Sequence, residues 1–234
     1  MNESPLTRRG VLGAGAAAAG AAALGANAAY AQKPLPAPST PRQALRILLA
    51  GNRRWQRGQL HLHDYSPVRE RAAESQKPFA AILTCADSRM STTLIFDVYR
   101  GNLFVARVAG NTADPELVGS LEYSVAVLGA KLIMVLGHSA CGAVDAALGV
   151  VKGTKSFPPD KYGQIGTFVD PIVPVIQGLP PEQQTLNASI AANARTQAQT
   201  LAGADPIIKP AVASGDLMVV PAVYNIANGR VSVV

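Results

Sequence analysis

The chain has 234 residues, of which 48% are apolar, 15% charged and 5% aromatic. That length and apolar content suit one folded domain with its own core, and exclude a disordered, collagen-like or disulfide-dense chain. The formal charge of +6 is modest and scattered, which argues against a nucleic-acid partner, because such binding needs a basic stripe or patch.

The amino terminus reads as an address. Thr7-Arg8-Arg9-Gly10-Val11-Leu12 leads into a small and apolar run, Val11 to Ala26, and then Ala29-Tyr30-Ala31. A charged start, a weakly apolar middle and an A-x-A end make a signal peptide. The paired arginines resemble the twin-arginine export signal. A retained anchoring helix is the alternative, but the run is short and too weakly apolar to span a bilayer well. The expectation is a signal over residues 1–31, a periplasmic or otherwise exported location, and no stable membrane span after cleavage. Four prolines between Lys33 and Pro41 make residues 32–39 a linker. The folded domain is then 40–234.

Thr40-Pro41 predicts a helix start, with Thr40 as N-cap. Ala44, Leu45, Leu48 and Leu49 share one face, and Gly58 ends the element. A second short helix is expected near Val68 to Ser75. Four apolar runs of strand length follow: Phe79–Thr84, Leu103–Val108, Lys131–Leu136 and Leu217–Val220. Runs that are apolar on both faces suit parallel strands covered by helices. Leu117–Leu128 and Pro181–Leu201 supply helices, and Pro206–Gly215 a short helix and turn. Ala222–Val234 reads as a final hairpin turning at Asn228-Gly229. The fold class is α/β, a mostly parallel central sheet flanked by helices with an N-terminal helical arm.

The chemistry gathers at strand ends. Cys85 follows the first strand in Cys85-Ala86-Asp87-Ser88-Arg89. His138 and Cys141 follow the third in Gly137-His138-Ser139-Ala140-Cys141-Gly142. Sites in open parallel sheets form beyond the carboxyl ends of strands. Both cysteines of the chain and one of its three histidines therefore meet one sheet edge. Two thiolates and an imidazole suit zinc and leave a fourth tetrahedral position open, the catalytic pattern. Cys141 is expected near a helix N-terminus, which favours its thiolate. The residues also admit a Cys85–Cys141 disulfide, since the compartment is oxidising and the spacing permits it. Arg89 can fork onto Asp87 and keep it ionised, so that Asp87 accepts a hydrogen bond. A zinc-bound hydroxide whose proton points at Asp87 aims its lone pair at an electrophile.

These blocks resemble those of a β-class carbonic anhydrase. Gly101-Asn102-Leu103-Phe104-Val105-Ala106-Arg107-Val108-Ala109-Gly110-Asn111 and Ser120-Leu121-Glu122-Tyr123 match in the same order, and the likeness runs from about Thr40 to the carboxyl end. The resemblance implies zinc on Cys85, His138 and Cys141, an Asp87–Arg89 catalytic dyad, and reversible hydration of CO₂ to bicarbonate and a proton. It implies that Gln76, Phe104 and Tyr123 line the cleft, that the Gly142 N–H assists bicarbonate, and that a homodimer or higher even oligomer completes the cleft. Some members close the site by letting the aspartate bind zinc, coupled to a bicarbonate pocket. Ile82 replaces the tryptophan of that pocket, and Met90-Ser91-Thr92 replaces a Val-Pro-Ala run. The expectation is an open site with Asp87 off the metal at neutral pH. His61 and His63 carry no argument as proton shuttles.

Overall fold

The computed structural model describes residues 37–61 and 73–234. The signal and the start of the linker lie outside the described residues, as does most of the helix expected near Val68 to Ser75.

Helix α1 spans Pro41–Gln56. Thr40 Oγ1 accepts from the Gln43 N–H, and Gln43 reaches back to the Thr40 N–H, a capping box that satisfies donors at both ends of the first turn. The helix buries Ala44, Leu48, Gly51 and Asn52. Gly51 is required there, because a Cβ would sit 1.7 Å from the Phe96 carbonyl oxygen. Asn52 donates to the Ile95 and Gly229 carbonyls and accepts from the Val231 N–H, tying α1 to the carboxyl-terminal hairpin.

Strand β1 (Ala80–Thr84) leads through the short helix α2 (Thr92–Ile95) to β2 (Leu103–Arg107). A 3₁₀ turn at Ala109–Asn111 and helix α3 (Pro115–Ala126) precede β3 (Leu132–His138) and α4 (Gly142–Val151). Short helical turns α5 (Pro159–Tyr162), α6 (Gly166–Val169) and α7 (Val173–Gln177) follow. The long α8 (Leu186–Ala202), α9 (Ile208–Ala213), β4 (Met218–Tyr224) and β5 (Val231–Val233) complete the fold.

The sheet order is β2-β1-β3-β4-β5, parallel except for β5. Alternate residues of β1 and β3 feed two cores. Ala80, Ile82, Leu132, Met134 and Leu136 meet Ala44 and Leu48 of α1. Ala81, Leu83, Ile133 and Val135 meet Ala194, Ala198 and Leu201 of α8. Each large apolar side chain so buried contributes about 1.5–3 kcal/mol.

Three expectations are corrected. Strand β3 runs on to His138, because both faces stay covered past Leu136. The fourth apolar run and the first arm of the hairpin are a single strand, Met218–Tyr224. Pro181–Gln183 forms a separate 3₁₀ turn, and α8 starts only after the Thr185 cap.

Candidate metal centre

The chain passes from β1 to β2 on one side, then crosses to β3 on the other. That reversal opens a crevice at the carboxyl ends of β1 and β3. Cys85 leaves β1 into it, His138 is the last residue of β3, and Cys141 caps the N-terminus of α4. Ala140 lies between them with φ +55°, a left-handed turn that brings Cys141 back towards Cys85.

The ligand atoms of Cys85, His138 and Cys141 all lie within 4.8 Å of one another, and all three residues are buried. The two Sγ atoms are 4.0 Å apart. A disulfide needs about 2.05 Å, and both thiols are free. A tetrahedral zinc with Zn–S near 2.3 Å spaces two sulfurs by about 3.8 Å, close to what is observed. His138 Nδ1 lies 3.0 Å from the Ser139 carbonyl, which places its proton on that nitrogen. Nε2 is buried without a hydrogen-bond partner, so its lone pair faces the sulfurs. A buried acceptor left bare in this way is what a metal ligand requires, and the donor set fits zinc.

The electrostatics agree. A hydrogen bond with Cys141 lowers the Cys85 thiol to about 4, against burial and with help from the Gly110 N–H. The same contact, together with burial, pushes the Cys141 thiol up. The two sulfurs lie in hydrogen-bond contact, and a divalent cation binds both only as thiolates.

Asp87 sits at the rim. Arg89 Nε donates to Oδ1 at 2.9 Å, Arg89 Nη2 to Oδ2 at 2.7 Å, and the Arg89 backbone N–H to Oδ1 at 2.9 Å. These bonds hold the carboxyl well below the usual carboxylate range. Asp87 Oδ2 lies 3.9 Å from His138 Nε2. The predicted dyad is therefore assembled, beside the ligand set. Gly142 opens α4 and is exposed.

The cleft residues are not brought to these ligands. Gln76 and Tyr123 line a cavity of about 990 Å³ with Glu74, Arg100 and Asn102, and no metal ligand lines it. Phe104 is half-buried on β2 and packs towards the α8 side of the sheet.

Supports that the sequence reading passed over surround the centre. Arg107 donates to the Cys85 carbonyl at 3.1 Å and the Asp87 carbonyl at 2.7 Å, fixing the loop between them. The Gly110 N–H donates to Cys85 Sγ at 3.3 Å. Ser139 Oγ accepts from the Ile226 N–H. A charged residue closing the apolar run Leu103–Ala106 was the available signal for Arg107.

Residues 80–231 match the Carbonic anhydrase family. The chain is 36% identical over 196 residues to Carbonic anhydrase 2 of Mycobacterium tuberculosis, which covers 82% of this chain and 92% of that protein. The fold superposes on the Coccomyxa β-carbonic anhydrase solved with acetazolamide, with TM-score 0.58 and 28% identity, covering 74% of this chain and 87% of the other. A tetrameric β-carbonic anhydrase from Sordaria macrospora gives TM-score 0.62 and 25% identity, covering 82% and 97%.

Proposed function

The chain belongs to the β-class carbonic anhydrases, and from that premise we propose how its residues share the work. The reaction is the zinc-dependent, reversible hydration of CO₂ to bicarbonate and a proton. Cys85, His138 and Cys141 would hold the zinc. The ion, when bound, supplies Lewis-acid activation of water. Asp87 stays off the metal. One observation carries this reading: Asp87 Oδ2 lies beside His138 Nε2 yet is engaged by Arg89. An ionised carboxylate only accepts hydrogen bonds. A nucleophile whose proton is drawn to Asp87 turns its lone pair towards CO₂. The Gly142 N–H, in the first turn of α4 where a helix offers no carbonyl partner, then steadies the bicarbonate oxygen. Ile82 is packed in the core and offers nothing to a bicarbonate pocket. Asp87→Asn is expected to keep its zinc and lose turnover by about 10²-fold or more. Stopped-flow CO₂ hydration at the unmutated rate would overturn the assignment.

The cleft is completed by a homodimer. Gln76, Phe104 and Tyr123 serve a neighbouring subunit's zinc, since a single chain holds Gln76 and Tyr123 in a cavity away from its own ligands. The tetrameric Sordaria relative is in keeping with an even assembly. Sedimentation of the zinc-loaded protein tests this, and an active monomer contradicts it.

Residues 1–31 act as a twin-arginine signal that delivers the enzyme to the periplasm. The Arg8-Arg9 pair and the Ala29-Tyr30-Ala31 end support this reading. Among the described residues no helix is long and apolar enough to cross a membrane. Replacing both arginines with lysine should stop export of the full chain, and continued export would refute the signal.

A further inference from the structure

Helix α8 carries two buried amides on the face that otherwise supplies Ile190, Ala194, Ala198 and Leu201 to the core. Asn193 is 1% exposed and Gln197 7%. Such groups are costly to bury unless their bonds are made. Theirs form a chain that ends at a ligand sulfur. Gln197 Oε1 accepts from the Ala113 N–H at 2.9 Å, and its Nε2 donates to Asn193 Oδ1 at 3.1 Å. Asn193 Nδ2 donates to the Gly110 carbonyl at 2.7 Å. The Gly110 N–H donates to Cys85 Sγ. Gly110 takes φ +77°, and a Cβ there would lie 2.6 Å from Ile172 Cδ1.

We propose that Asn193, backed by Gln197, is a positioning residue for the metal centre, holding Gly110 by its carbonyl so that the Gly110 N–H donates to Cys85 Sγ. A donor on a thiolate fixes its direction and draws charge from the sulfur, so the metal receives less. Two thiolates supply more charge than two imidazoles, and this bond offsets part of that. No atom of Asn193 needs to touch substrate. Its effect passes entirely through Gly110.

The inference rests on the zinc reading of Cys85, and its test keeps the two apart. Zinc affinity is measured by competition with a chromophoric chelator, and the cobalt-substituted protein gives the sulfur-to-metal charge-transfer band. Asn193→Ala is expected to bind zinc about 10-fold more weakly, because loss of the fixed sulfur direction outweighs the extra charge the sulfur offers. Its band should move to longer wavelength, because a sulfur without its donor gives up charge more easily. Gln197→Ala should shift both readings less, in the same direction, and it carries the test if Asn193→Ala does not fold. Asn52→Ala is the control, since it loses equally buried bonds far from Cys85 and should lower the melting temperature alone. Folded variants with unmoved affinity and band overturn the positioning role. An unmutated protein that binds neither metal overturns the zinc reading, and this inference with it.

Discussion

Strands β1 and β3 are buried along their whole length, whereas β2, an equally apolar run, lies at the sheet edge with Val105 38% exposed. Leu94, Tyr123 and Val127 are exposed as well, at 47%, 48% and 63%. Tyr123 and Val127 fall four apart on or just past α3, so they face the same way. The metal-ligand group is thus built from buried strand ends, while β2, α2 and α3 carry exposed apolar side chains. An apolar run alone does not say how far its strand is covered.

Breaking the buried half should have the largest effect. Cys141→Ala leaves two ligands and is expected to abolish zinc retention and CO₂ hydration together, as metal analysis and stopped-flow assay on one sample would show. A metal-replete, active variant would remove Cys141 from the ligand set. Breaking the edge should separate the halves. Val105→Glu puts a charge on β2, where charges oppose edge pairing, and is expected to yield subunits that keep their zinc but lose most turnover. If the variant sediments as the unmutated protein does, β2 is not the pairing edge.

Smaller effects sharpen the same contrast. Arg107→Met frees the Cys85 and Asp87 carbonyls and should cost about 1–2 kcal/mol in denaturant unfolding. An unchanged midpoint would show that the loop needs no such brace. Metal-free protein at neutral pH should release a proton on zinc uptake, because Cys85 holds the Cys141 thiol above its ordinary value. Affinity should therefore rise with pH, and calorimetry in buffers of different ionisation enthalpy reads this directly. Ala140→Gly relieves a left-handed alanine against the greater freedom of unfolded glycine, and should stabilise by less than about 1 kcal/mol. A loss of stability would mean that the turn is not strained.

The sequence made the metal half legible because its signals are local. Thr40-Pro41 announces α1, the apolar runs announce β1 and β3, and residues with metal-binding side chains stand directly at their ends. The strand order is a long-range fact, and so the switch point between β1 and β3 was inferred only as a common edge. Asn193 and Gln197 were passed over because polar residues on a helix ordinarily face solvent. Their spacing of four, in phase with Ile190, Ala194, Ala198 and Leu201, was the sign that they face inward. Residues 154–180 carry short helical turns with many prolines and no sustained period, so that stretch offers no pattern from which an element can be read.

Zinc-edge X-ray absorption at neutral pH, on the unmutated protein and on Asp87→Asn, tests the open Cys85–His138–Cys141 centre most directly. The expected spectra show two sulfurs, one imidazole nitrogen and one further light atom, and are the same for both proteins. A metal environment that changes when Asp87 is replaced, or sulfurs bonded to each other with no zinc present, would contradict it.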